Sequence, residues 1–422
     1  MSRLRVMTKS ACSIVFLLFI TSAAIAAKNP EIAAAANAEV EATVETIKTL
    51  TLIDSASNNA KGLAQVAAIL DSRLKELGFS TRRETSPADV NADSVVGVKL
   101  GTGVQKVMLI AHMDTVYEVG ALDASPVRID NEKMYGPGVV DNKGGIGIIL
   151  HSLQLLDDLA WTDYDTLTVL FNPDEEIGSA GSGALISELT ADMDTVLSFE
   201  IGGSHKSGWA WLLLGAAAYA EVTMTVKGLA SHAGGSPEKG RNAILELAHQ
   251  LLATRKVATG IPGAQLNWTN VVSDKAFNQI PDLAVARGDG RITVEGAEIR
   301  LLEALQKKVA ESKLIPQTET TVSVEITNPN YVANAKGYEV AKLMQKIFSE
   351  ISYQTMYLVP MVKGVSHLGY ASRSEDIAVL EGLGPSGEDV HSTSEYLDTR
   401  SLAPKIYTTV RLLMELGTEA GN

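Results

Sequence analysis

The 422-residue chain carries 36 basic and 50 acidic residues, a formal net charge of −14 that argues against nucleic acid or an anionic membrane surface as partner. Its length favours two domains over one, and a single cysteine, Cys12, leaves no disulfide framework. Acidic clusters suit metal cations, although a solvated acidic surface accounts for most of the charge.

The chain opens with Arg3, Arg5 and Lys9, then an apolar run over residues 11–26 that closes on Ala24, Ile25 and Ala26. This is the pattern of a cleaved secretory leader over residues 1–26, and the run is short for an uncleaved bilayer span. Cleavage removes Cys12 and takes the net charge to −17. The mature chain is then free of thiols, periplasmic or secreted, and without stable membrane association.

From residue 59 to 78, Leu63, Val66, Ala67, Leu70, Leu74 and Leu77 recur at helical spacing and stop at a glycine. Short β-rich runs follow at 107–111, 167–171 and 196–199, with a helical segment at 144–156 between the first two. This alternation predicts an α/β fold, a mixed but largely parallel sheet flanked by helices. After residue 214 the order becomes strand 219–226, helix 242–254, strands 266–272 and 283–292, helix 298–312 and strand 320–326. That β-α-β-β-α-β order predicts an inserted ferredoxin-like α+β domain at 215–327. Residues 27–214 and 328–422, the latter opening with a helix at 338–351, would form the discontinuous first domain.

The chemistry lies at the strand ends. His112 closes the first buried strand, with Asp114 two residues on, where a carboxylate can fix an imidazole's tautomer. GPGVVDNKGG at 136–145 sets Asp141 near a helix start; an Asp N-cap is the plain alternative, and the spacing fits no phosphate-binding loop. NPDEEIGS at 172–179 brings Asp174, Glu175 and Glu176 into one turn. Adjacent acids in a solvated turn are ordinary, but after a buried strand a cation makes their repulsion tolerable. Glu200 ends the next strand, and His391 lies in the polar turn EDVHS. Strands of an open α/β sheet deliver their carboxyl ends to one edge, so His112, Asp141, Glu176, Glu200 and His391 can converge on a metal pair.

With KGLASHAG at 227–234, these motifs make the chain resemble the co-catalytic zinc exopeptidases over nearly its whole mature length. That family includes bacterial glutamate carboxypeptidases, succinyl-diaminopimelate desuccinylases, aminoacylases and dipeptidases, and the likeness is greatest to the folate-cleaving glutamate carboxypeptidases. The resemblance implies two Zn²⁺ per subunit, bridged by Asp141, with His112 and Glu200 on one and Glu176 and His391 on the other; Co²⁺ or Mn²⁺ suit the same donors. It implies Glu175 as general base, Asp114 as the group orienting His112, and the inserted domain as a lid that dimerises the protein. His232, otherwise surface filler, would reach the partner's active site and stabilise the oxyanion. Asn278 and Arg291 would hold the substrate's terminal carboxylate, a task suited to guanidinium, although a surface salt bridge is the plain reading of Arg291.

One loop departs from the family pattern. Where the family has a glycine pair, a small hydroxyl residue and an aspartate, this chain has KGVSH, so Lys363, Ser366 and His367 are expected to reshape the substrate contacts. Met361 and His367 could instead belong to a rearranged core. The expected activity is metallocarboxypeptidase cleavage of an amide bond, releasing a C-terminal amino acid such as glutamate from an N-acyl or peptide substrate. The same site could serve an aminoacylase or dipeptidase, and a peptide-binding protein that has lost catalysis is the alternative of another class.

Overall fold

The computed structural model describes residues 28–86, 92–204, 206, 208–352, 354–371 and 374–419. The expected leader and Cys12 lie outside the described residues. No helix among those described is long and apolar enough to cross a membrane.

A 13-stranded mixed sheet forms the larger unit. Its centre is parallel: Thr166–Asn172, Lys106–His112, Thr195–Ser198 and Ala378–Glu381 lie side by side in that order. Asp93–Leu100 and Ser80–Thr85 extend one flank antiparallel, and the other flank is a run of short strands of mixed direction ending in Lys133–Tyr135 and Arg128–Asp130. The strand residues alternate between two cores. Val107, Leu109 and Ala111 face a large cluster shared with the helices Ala60–Glu76, Lys143–Asp158, Ala335–Ile351 and Leu402–Glu419. Met108 and Ile110 face a smaller cluster with Ile186 of the helix Gly183–Thr190 and with Leu368. Helices thus cover both faces, unequally. Burying each large aliphatic or aromatic side chain stabilises the fold by about 1.5–3 kcal/mol, enough that both sides of the central strands are fixed in register.

The second unit is a four-stranded antiparallel sheet in the order Ala264–Val272, Leu283–Ile292, Ala218–Lys227, Glu319–Asn328. The helices Ala243–Thr254 and Ala297–Glu311 share its buried side chains. Ala218–Lys227 alternates buried and half-buried positions almost without exception, as a sheet with one covered face requires. The expected β-α-β-β-α-β order is therefore observed, with element ends shifted by one or two residues.

The chain leaves and re-enters the larger unit side by side. Gly215–Ala216 pairs antiparallel with Tyr331–Val332. The same crossing point holds a loop of the larger unit, because Val362 N–H donates to the Gly215 carbonyl (2.9 Å) and Ala217 N–H donates to the carbonyls of Val362 (3.1 Å) and Gly364 (3.0 Å).

Lys405, on the C-terminal helix, is buried, and its amine donates to the carbonyls of Gly202 (3.0 Å) and Gly382 (2.9 Å). Burial pushes it down to about 7 from the ordinary lysine value of 10.5. Between those values the unfolded chain binds a proton at this site that the folded protein does not, so folding stability rises with pH across the window. We predict that the stability difference between wild type and Lys405→Met shifts in favour of wild type from pH 7 to pH 10 in denaturant titrations. A difference that does not change with pH would contradict a neutral buried amine.

Candidate metal centre

His112 is the last residue of a central strand and is fully buried. Its ring is held from both sides: Nδ1 lies 3.1 Å from the Asp114 carbonyl and 3.2 Å from Asp114 Oδ1, while Nε2 lies 3.0 Å from Asp141 Oδ1. Asp114 is itself anchored, accepting from Ser57 Oγ (2.7 Å) and from the N–H groups of Glu175 and Glu176 (both 3.1 Å). One buried carboxylate therefore orients a histidine and positions the acidic turn.

Asp141 sits in the glycine-rich turn ahead of the helix Lys143–Asp158, and the Asp141–Asn142 peptide is cis. The turn needs its glycines. Gly138 has φ +74°, and a Cβ there would stand 2.5 Å from Thr115 Cγ2; at Gly145 it would stand 2.1 Å from the Phe199 carbonyl. Glu395, missed in the sequence, holds this turn. Its carboxylate accepts from the N–H groups of Gly138 (3.1 Å), Val140 (3.0 Å) and Asp141 (3.2 Å). Its surroundings in the sequence, Ser392, Thr393 and Ser394 before it and Tyr396, Leu397 and Asp398 after it, carry no local signal of that role.

The two oxygens of Asp141 serve different histidines: Oδ1 faces His112, and Oδ2 lies 3.2 Å from His391 Nε2. Each histidine has a further carboxylate, Glu200 Oε1 at 3.5 Å from His112 Nε2 and Glu176 Oε2 at 3.4 Å from His391 Nε2. His391 is presented from a left-handed backbone position, φ 61°.

Charge explains why these groups need a partner. Burial works against a charged His112, yet Glu200, Asp114 and Asp141 together hold it well above the usual imidazole range. Hydrogen bonds to Asp141 and Glu176 raise His391 to about 10. Burial opposes ionisation of Asp141, but both histidines keep its carboxyl low. Burial first, then neighbouring acids, raise Glu175, Glu176 and Glu200. Several acids thus compete for positive charge in one small volume.

The residues fit divalent cations. Glu176 Oε1 and Glu200 Oε1 are buried without a hydrogen-bond partner among the described residues. Donor atoms converge within 4.8 Å in the groups His112, Asp141, Glu200 and Asp141, Glu176, His391. The separations of 3.0–3.5 Å match the edge of about 3.3 Å expected between ligands of a tetrahedral ion with bonds of about 2.0–2.1 Å. Nitrogen and carboxylate donors without sulfur suit zinc, cobalt or manganese.

A cavity of about 590 Å³ opens beside the cluster, lined by Glu175, Glu176, His391, Tyr219, Asp289 and Arg291 among others. Arg291 is pre-set: its guanidinium pairs with both oxygens of Asp289 (2.7 Å each) and lies 5.2 Å from the Tyr219 ring centre. The salt bridge read as its plain alternative exists, and it faces the cavity. His232 and Asn278 are not in the lining. They lie together at the tip of the four-stranded unit, where Ala233 N–H donates to the Asn278 carbonyl (2.8 Å), and both are exposed.

The KGVSH loop turns two of its side chains inward. Ser366 and His367, expected at the substrate, face inward and are buried. The Ser366 hydroxyl donates to buried Glu381 and accepts from Leu368 N–H (3.0 Å). His367 Nε2 lies 2.9 Å from Ser198 Oγ, and its Nδ1 points to Glu200 Oε1 at 3.9 Å, so it joins Glu175 and Glu200 in a third donor group behind the cavity. Lys363 is exposed and reaches Gln265 Oε1 (2.7 Å) on the four-stranded unit. His151 bonds Glu39 and Thr46, and His249 meets Ser312, both away from the cluster; His205 lies outside the described residues.

Glu395→Ala would strip three N–H groups of the glycine-rich turn of their acceptor, at about 1–3 kcal/mol for each that stays buried and unpaired. We predict a lower unfolding midpoint in denaturant and fewer metal ions per chain by elemental analysis. An unchanged midpoint with full metal content would show that the turn stands without Glu395.

Residues 108–415 match Peptidase family M20/M25/M40. The chain is similar to carboxypeptidase G2 of Pseudomonas sp. (strain RS-16), with 34% identity over 401 residues that span 94% of this chain and 95% of the relative. It is also similar to the putative succinyl-diaminopimelate desuccinylase DapE of Mycobacterium tuberculosis, with 29% identity over 56% of this chain and 64% of the relative. Among solved structures, the aminopeptidase PepT from Bacillus cereus superposes with a TM-score of 0.70 at 19% identity, covering 89% of this chain and 98% of that one. The M20 family metallo-carboxypeptidase Sso-CP2 from Sulfolobus solfataricus gives 0.71 at 16%, covering 88% and 98%, and both share the fold. The chain therefore belongs to Peptidase family M20/M25/M40 and is a metal-dependent peptidase of the amidohydrolase kind.

Proposed function

We propose that this enzyme is a di-zinc carboxypeptidase that releases a C-terminal amino acid, glutamate foremost, from N-acyl or peptide substrates, folate-like ones included. The observation that carries this is the splitting of Asp141 between two histidines, each with a second carboxylate, beside a cavity that also holds Glu175 and Arg291. His112 and Glu200 would hold one ion, Glu176 and His391 the other, and Asp141 both. Bound there, the cations supply a polarised carbonyl and a more acidic water.

The chain's own groups do the rest. Asp114 keeps Nε2 of His112 turned towards Asp141. Glu175 lines the cavity beside the donor cluster, where it takes the proton of the attacking water and returns it to the leaving amine, a service worth about 10²–10⁴ in rate. Arg291, already oriented by Asp289, offers its remaining N–H groups to the substrate's terminal carboxylate, with Asn278 of a second copy as a further contact.

His232 and Asn278 lie outside the lining of this chain's cavity, which supports their serving the site of a second copy. The four-stranded unit, as lid and dimerisation domain of residues 215–327, offers surfaces for that: the edge strand exposes Val271 and Val272, the neighbouring helix exposes Ile244, Leu245 and Leu252, and Phe277 stands fully exposed beside Asn278. Secretion into the periplasm or beyond rests on the leader pattern of residues 1–26.

The primary test is release of free amino acid from a panel of N-acyl amino acids and folate-like substrates by zinc-loaded enzyme, with chelated enzyme and Glu175→Gln as controls. Chelator-sensitive release favouring glutamate, with Glu175→Gln retaining its metal and losing nearly all turnover, is the expected result. Equal release of alanine or leucine points to an aminoacylase or dipeptidase, and peptide binding with no release points to a binding protein. Full activity in Glu175→Gln would end the general-base assignment.

His232→Ala, in protein shown to be dimeric by sedimentation, is expected to lower kcat by about 10²–10³ with little change in KM, because an oxyanion contact forms in the transition state. A change confined to KM would contradict that role.

A further inference from the structure

Arg291 lines a second cavity as well, of about 330 Å³, where the two units meet. Arg255 and Lys256, which follow the helix Ala243–Thr254, line it from the four-stranded unit, and Lys363 lines it from the larger one. Gln265 and Thr293 add neutral polar groups, and no acidic residue is in the lining. Among the described residues, Arg255, Lys256 and Lys363 have no ion-pair partner; Arg291 alone is paired, with Asp289. In a chain with 14 more acidic than basic residues, three cations without an ion-pair partner, gathered around one concavity with the Asp289-paired Arg291, form a local reversal of charge. Gathering like charges costs energy unless an anion joins them.

The cavity adjoins the metal-bearing one at two points. Arg291 belongs to both, and Gly364, which lines the metal-bearing cavity, follows Lys363 in the chain. Lys363 also spans the units through Gln265 Oε1 (2.7 Å), while its carbonyl lies 3.5 Å from Arg291 Nη1.

We propose that Arg255, Lys256, Arg291 and Lys363 form an anion site, separate from the metal cluster, that takes a compact oxyanion group between the two units. The group is either a remote carboxylate of the substrate or a free oxyanion; only the first rests on the carboxypeptidase reading. In both cases the anion draws on cations of both units and so ties one to the other.

The test compares zinc-loaded wild type with the double variant Arg255→Glu, Lys256→Glu, and with the charge-matched control Lys61→Glu, Lys227→Glu. Sulfate binding by calorimetry at low ionic strength is expected to weaken at least about tenfold in the first variant and not in the control, the loss of two charge-assisted contacts. KM is then measured for matched substrates that differ by one remote carboxylate, with succinyl against butanoyl caps and glutamate against alanine termini. A rise of about tenfold confined to the doubly anionic member of a pair assigns the site to the substrate. Weakened sulfate binding with unchanged KM values assigns it to a free oxyanion. If both variants match wild type in sulfate affinity and in KM, no such site exists. Sulfate binding needs no turnover, so a protein that releases nothing would overturn the carboxypeptidase reading and leave this one to be judged by calorimetry.

Discussion

Five carboxylates, Asp114, Asp141, Glu175, Glu176 and Glu200, converge at one edge of a sheet whose central strands are mainly apolar, and most of what surrounds them answers their mutual repulsion. The parallel strands cannot move apart, because their side chains are packed on both faces. The turn N–H groups, Ser57 and the imidazoles each satisfy one oxygen, and the buried oxygens of Glu176 and Glu200 are left over. A site that concentrates negative charge beyond what its own donors can satisfy is built for cations.

Labour is divided between the two units. The larger one fixes the donors with buried, fully bonded groups such as Asp114 and Glu395, whose task is rigidity. The smaller one contributes Tyr219, Asp289 and Arg291 to the cavity wall, groups that are half-buried and suited to meeting a ligand. The donor cluster and this part of the cavity wall thus rest on different hydrophobic cores.

Much of this was legible in the sequence because it is written locally. Helical spacing from Leu63 to Leu77 and the alternation of Ala218–Lys227 are periodic signals within one element, and His112, Glu176 and Glu200 are marked by the strands they follow. Glu395 was not legible, since its partners lie more than 250 residues earlier and meet it only after the sheet closes. The inward turn of Ser366 and His367 was hidden for a related reason: their partners, Glu381 and Ser198, belong to central strands, and no pattern within KGVSH records which side faces them. The flank of the sheet that ends in Lys133–Tyr135 and Arg128–Asp130 was missed because such short strands carry too few residues for a period to show.

The crossing at Gly215–Ala216 and Tyr331–Val332 has a mechanical consequence. Two strands passing through one point make an axle, and Val362 is strapped to it by backbone bonds on both sides. The segment strapped there continues into Gly364 and Val365, which form part of the cavity wall. Were the smaller unit to turn about this crossing, that wall would be carried with it, so that orientation and cavity shape would be geared together.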